Sequence, residues 1–106
     1  MIITPGASVA GYKVVKTLGL VRGNTIRARN VGRDIMAGLK NLIGGEIEEY
    51  TKMMAEAREQ ALDRMIADAQ KLGANAVLDL RFSTSYIQAS ASEIMAYGTA
   101  VILEPE

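Results

Sequence analysis

The side chains able to do chemistry in this sequence are arginines and carboxylates, and Arg33-Asp34 together with Arg58 stand out among them. A guanidinium presents a planar fork of N–H donors that matches carboxylate and phosphate oxygens, so two such residues could grip an anionic ligand. Arg58 also stands two residues after Glu56 and directly before Glu59, beside an apolar stripe. That setting suits an ion pair with a neighbouring chain at a helix edge. Asp79 and Arg81 alternate along a strand and are expected on one face, lining a channel or meeting a partner subunit. For these groups an interface is preferred over a ligand site. General acid–base catalysis by carboxylates calls for a paired arrangement, and no spacing here supplies one. No catalytic residue is assigned, and the chain is not expected to be an enzyme; an active site in a pocket between subunits is the remaining enzymatic alternative.

Metal chemistry has few ligands to draw on. Asp34, Glu46, Glu48, Glu49 and Asp79 offer oxygens for hard cations, but nothing spaces them like a calcium loop. Met36, Met53, Met54 and Met65 offer thioethers for soft metals, although methionines at helical spacing usually serve as flexible core filler. Metal binding or buffering through these carboxylates and methionines is the alternative to a non-catalytic role. The sequence contains no Cys and no His. Their absence removes the thiolate nucleophile, the commonest general base and the commonest transition-metal ligand. Ser-His and Cys-His catalysis, zinc ribbons and the zinc deaminase arrangement are thereby excluded. Neither a GxGxxG run, a phosphate loop nor an HExxH motif is present.

A length of 106 residues fits one domain, taken as 1–106. A monomer of this size buries only about 65% of its unfolded surface, yet the hydrophobic fraction is 49%. Surplus apolar residues on a small domain are either exposed in patches or covered by a partner. Net charge is zero, but residues 1–45 carry seven Lys/Arg against one acidic residue, and residues 46–106 carry five against eleven. Arg22, Arg27, Arg29 and Arg33 could form a nucleic-acid patch. With Tyr12 as the sole accompanying aromatic, pairing of the opposed halves within or between chains is the simpler expectation, and no nucleic-acid partner is expected. The start carries no charged n-region with a long apolar stretch, and no apolar run approaches membrane length. A cytoplasmic protein without a membrane partner is expected.

These groups must be positioned by a short set of elements. Tyr12, Val14, Leu18 and Leu20 recur at period two with β-branched neighbours, which predicts a strand over 12–21. Gly23-Asn24 is expected to form a turn or bulge, with Thr25–Ala28 extended beyond it. Asn30 is a suitable N-cap for a helix carrying Val31, Ile35, Leu39 and Leu42 on one stripe and stopped by Gly44-Gly45. Glu46 to Leu72 reads as a long helix with Ile47, Tyr50, Met54, Ala57, Ala61, Met65 and Leu72 on its apolar side, Glu48–Lys52 as an i,i+4 pair, and Gly73 as cap. Two strands follow. In the first, Ala76, Leu78, Leu80, Phe82, Thr84 and Tyr86 share a face; the chain turns around Gln88–Ala91. The second, Ser92–Leu103, is apolar on both faces and should be buried on both. One helix layer cannot cover both faces of so small a sheet, so a neighbouring subunit is expected to.

Gly44-Gly45-Glu46 followed by Tyr50, then Arg58 and Ala61, then Gly73-Ala74-Asn75-Ala76, and finally Tyr97-Gly98-Thr99-Ala100-Val101 resemble the YbjQ-like family. This group of small proteins also carries a heavy-metal-binding label. The resemblance covers about Ile2 to Leu103. It implies an α+β fold: a two-layer β-α-β-β domain with a long helix on an antiparallel sheet, similar in shape to dodecin subunits, closing into a homopentameric ring. It implies no established activity. No cofactor is predicted, and a divalent metal enters only through the family label. Ligand-binding or interface residues are therefore expected among Arg33, Asp34, Glu46, Tyr50, Arg58, Asp79 and Arg81.

Overall fold

The computed structural model of the chain describes residues 1–28, 45–88 and 91–106. Its elements are strand Ile2–Ile3 (β1), strand Tyr12–Ala28 (β2), helix Gly45–Lys71 (α1), strand Ala76–Gln88 (β3) and strand Ala91–Pro105 (β4). The strands form one four-stranded sheet in the order β1-β3-β4-β2. The two long pairings are antiparallel, but β1 runs parallel to β3, so the sheet is mixed and not the antiparallel sheet expected. A two-residue strand carries no periodicity to read. It is held by position instead: the Ile2 N–H donates to Asn75 O at 3.2 Å, and the Thr4 N–H donates to Val77 O at 3.1 Å. The helix predicted from Asn30, with Val31, Ile35, Leu39 and Leu42, lies outside the described residues.

β2 runs unbroken through Gly23-Asn24, where a turn or bulge was expected. Its irregularities come earlier, as register shifts between Val14 and Lys16 and between Thr17 and Gly19. These shifts break the simple alternation. Leu18 packs on the main core and Val21 is fully buried, whereas Leu20 is 67% exposed. Gly23 has a different task. A Cβ there would meet Arg64 Cβ at 2.7 Å and would lie closer still to Ala61 O and Met65 N. The helix backbone therefore rests directly on the strand, and only glycine leaves room for it.

The face that α1 lays on the sheet is Met54, Ala57, Ala61, Met65 and Ala69, all buried. Three alanines in that row keep the helix close to the strands. Leu72, expected on the same stripe, is 47% exposed because the helix has ended at Lys71 and Gly73 has taken the chain into the left-handed region at φ 81. The cap is closed by the Gly73 N–H to Gln70 O at 3.0 Å and the Ala74 N–H to Ala69 O at 3.1 Å. Asn75 then joins this corner to β4. Its Nδ2 donates to Leu103 O at 2.9 Å, and its Oδ1 accepts from the Leu103 N–H at 2.7 Å.

β3 contains the feature that changes which residues share a face. Between Leu78 and Arg81 the register against β4 slips, and Asp79 adopts φ 56. The bulge lies across from Gly98, whose absent Cβ would stand 2.7 Å from Val77 Cγ1 and 2.9 Å from Leu78 O. Ala76 and Leu78 consequently belong to a second small core with Val101 and Leu103, while Val77 joins the helix-side core. After the bulge, Phe82 pairs with Ala96 and Thr84 with Ile94, on the helix side. The single face expected for Ala76 through Tyr86 is thus two faces, exchanged at Asp79.

β4, the central strand of the three long ones, is apolar on both faces as its sequence indicates. Ile94, Ala96 and Ala100 are buried under the helix; Val101 and Leu103 are buried on the far side, where Ile2 and Val9 pack against them. That end of the open face is covered by the chain's own N-terminal segment. Further along, Met95, Tyr97 and Thr99 are only half-buried.

Gly23→Ala is expected to lower the unfolding free energy by about 3 kcal/mol in urea denaturation, the cost of forcing a methyl into a closed contact. A loss below about 0.5 kcal/mol would show that the helix shifts off β2 without penalty. Asp79→Gly is expected to stabilise by about 1 kcal/mol, because glycine occupies the left-handed region freely. A net loss in the same titration would mean the Asp79 carboxylate makes a contact worth more than the strain.

Candidate functional site

α1 rests mainly on β2 and β4 and barely touches β3. The space left beside it, over β3, is a groove of about 770 Å³. Its floor is apolar: Ala55 and Leu62 from the helix, Leu80 and Phe82 from the strand. Leu62 and Leu80 are half-buried and Phe82 is 43% exposed, so the floor is open to an occupant. Lys52, Glu56, Arg58 and Glu59 form a rim of both signs. The trough is thus apolar along its floor, with charges of both signs alternating along its lip.

The other flank of the helix faces β2, an edge strand. Here a groove of about 410 Å³ is lined by Arg22, Gly23, Asn24, Arg64, Ala67, Asp68 and Lys71. Asp68 Oδ2 accepts the Arg22 N–H at 3.2 Å, and Arg64 Nη1 donates to Asn24 O. Both backbone groups belong to the outer edge of β2, so the helix satisfies with its own side chains what would otherwise be an open ladder. Arg64, Asp68 and Lys71 follow the i, i+4, i+7 spacing of one helix face. That spacing is visible in the sequence, but its target is backbone forty residues away, which no side-chain pattern announces.

Of the residues singled out from sequence, Arg58 lines the groove over β3. Arg81 reaches back from β3 to the N-terminal segment, its Nη1 donating to Pro5 O and to Leu80 O, each at 2.8 Å. Asp79 sits in the bulge beside it, its N–H donating to Gly6 O at 3.0 Å. The Asp79–Arg81 corner therefore holds the N-terminal segment over the sheet. Arg33 and Asp34 lie outside the described residues, and Glu46 and Tyr50 belong to the first turns of α1, where only the backbone is described. Arg58 is thus not brought together with Asp79 or Arg81.

Among the described residues no group of three or more Asp, Glu, His or Cys converges as a metal site. Met54 and Met65 are buried in the core beneath the helix, on either side of Ala57 and Ala61 along its inner face. The donor set described does not fit a heavy-metal centre. No helix among the described residues is long and apolar enough to cross a membrane.

Residues 1–104 match the family model described as "Putative heavy-metal-binding" and named for YbjQ. A UPF0145 protein of Dehalococcoides mccartyi strain BAV1 is 62% identical over 104 residues, covering 98% of this chain and all of that protein. A UPF0145 protein of Halorubrum lacusprofundi is 64% identical over 96 residues, 91% of this chain and 92% of the relative. Among solved structures, a Pediococcus pentosaceus protein of unknown function from the DUF74 family superposes with a TM-score of 0.70 at 17% identity, over 98% of both chains. That likeness extends the α+β fold to a distant sequence. With motifs, family match and close relatives in agreement along nearly the whole chain, this protein belongs to the YbjQ-like family.

Proposed function

We propose that this chain works as a non-catalytic homo-oligomer, a ring of dodecin-like subunits that serves as a structural module or holds a small ligand between subunits. The observation that carries this reading is shape. The radius of gyration is 17.5 Å, against about 13 Å for a compact chain of this length, and the longest dimension is 57 Å. The long strands bear Leu20, Ile26, Phe82, Tyr86 and Ile87 at 43 to 77% exposure. Apolar side chains displayed along an extended sheet are what a subunit offers to its neighbours. The opposed charges of the two half-chains favour association of like copies. A subunit count of five follows from the family resemblance, and the physics adds that the number exceeds one.

The description attached to the family model names a competing function, heavy-metal binding. The burial of Met54 and Met65 in the core, the lack of a converging carboxylate group among the described residues and the lack of Cys and His weigh against it.

Native mass spectrometry of protein purified without added metal is expected to give a multiple of 11.4 kDa, five-fold on the family expectation. A monomer at micromolar concentration overturns the assembly. Equilibrium dialysis against copper, zinc and nickel is expected to give no saturable stoichiometry; one ion per chain, or one per ring, would put metal binding in its place.

A further inference from the structure

We propose that the groove between α1 and β3 receives the first half of β2, Lys13 to Leu20, from a second copy of the chain, so that the subunit contact is head-to-tail. This rests on the homo-oligomer reading and specifies its interface. Four observations lead to it.

The groove and the strand match in chemistry. The floor of Leu62, Leu80 and Phe82 is apolar and open. Val14, Val15 and Leu20 are exposed at 45, 46 and 67%, more than a folded domain leaves on three large side chains within seven residues without reason.

They match in charge. The segment Tyr12–Ala28 contains Lys13, Lys16, Arg22 and Arg27 and no acidic residue. Glu56 and Glu59 on the groove's rim offer carboxylates to these cations, beside Lys52 and Arg58 of the same rim, so the complementarity is carried by the half-chains more than by the rim. More broadly, the strand comes from the half of the chain with seven cations and one acid, and the groove comes wholly from the half with eleven acids and five cations. Such a chain is a dipole, and dipoles associate with unlike ends together.

They cannot meet within one molecule. β2 is the outermost strand on one side of the sheet, and β4 separates it from β3. Among the described residues, the side-chain hydrogen bonds from α1 to the backbone of β2 fall at Arg22 and Asn24, beyond the strand's earlier portion. A contact between two different surfaces of identical copies is heterologous, and it either closes into a ring or propagates as a filament. This is the geometry a cyclic pentamer requires.

Finally, the area fits. The chain exposes 6827 Å², whereas a compact monomer of 11.4 kDa exposes about 5,800 Å². The excess is of the order that one partner contributes to a standard interface, about 800 Å².

The test uses two variants and their mixture. Phe82→Glu spoils the groove and leaves the strand intact; Leu20→Glu spoils the strand and leaves the groove intact. Each alone is expected to run as a monomer in native mass spectrometry while keeping the wild-type helical circular dichroism. Mixed one to one, they are expected to form a two-chain species, because each mixed pair has one sound strand and one sound groove. Should Phe82→Glu lose its helix signal, Glu59→Lys, an exposed substitution on the rim, takes its place, and pairing with Lys16→Glu should then restore assembly. Either variant retaining the wild-type mass, or a mixture without the two-chain species, overturns this interface while the oligomer stands. A monomeric wild type overturns both.

Discussion

The contact on which the rest of the structure depends is the one between Gly23 and the backbone of α1 at Ala61 and Met65. A helix normally meets a sheet through side chains on both surfaces. Here one surface has none, and the other offers alanines at positions 57, 61 and 69. The helix therefore sinks onto β2 and is drawn off the middle of the sheet. Two consequences follow from this single displacement. On the β2 side Asp68 and Arg64 come within reach of the strand's outer backbone and seal it. On the β3 side the helix withdraws, leaving Leu80 and Phe82 under an open groove. A bulkier residue at 23 would recentre the helix, covering β3 and releasing the edge of β2.

What could be read from the sequence divides along physical lines. The long helix was legible because its apolar row repeats over many turns, and its end was legible because Gly73 takes a backbone angle that other residues resist. The three long strands were legible from their length and β-branched content. The faces of those strands were less so. Alternation assumes unbroken pairing, and bulges at Val14–Lys16, Thr17–Gly19 and Leu78–Arg81 each insert a residue that reverses the count. Tyr12, Val14, Leu18 and Leu20 were expected on one side; the two shifts in β2 cancel, so Leu20 keeps the face of Val14, and Leu18 between them packs on the helix-side core with Val21. β1 was invisible, since two isoleucines have no period. Gly23 invited a turn because glycine in a strand means either a bend or a close neighbour, and sequence cannot distinguish the two.

The groups picked out for chemistry fared according to what they bond. Arg81 and Asp79, expected to line a channel or a subunit contact, both bond to the backbone of the N-terminal segment, Arg81 through its guanidinium and Asp79 through its N–H. Arg64 and Asp68, unremarked in the sequence, make the tertiary hydrogen bonds. Arg64, Asp68 and Arg81 thus spend their side chains on main chain, and among the described residues no group of three or more carboxylates converges. With neither Cys nor His in the chain, the groups available at its surface are arginines, lysines, carboxylates and exposed apolar side chains.

Sheet edges then become the governing problem. A strand of seventeen residues at the margin of a sheet is an invitation to uncontrolled pairing. Natural proteins blunt such edges with lysines, bulges or cover, and β2 shows all three: Lys13 and Lys16, two register shifts, and the clasp at Arg22–Asn24. The bulges also twist the first half of the strand away from a flat ladder, which disfavours simple strand-to-strand addition. Its apolar side chains nevertheless remain exposed, so the strand is protected against the wrong contact without being withdrawn from every contact. Side-chain burial in a groove bounded by a helix is compatible with that protection, because it relies on Val14, Val15 and Leu20 and not on the backbone edge. The same devices that blunt pairing along the backbone therefore leave the side chains of Val14, Val15 and Leu20 at the surface, and in the proposed head-to-tail contact it is these side chains that a neighbouring groove would bury.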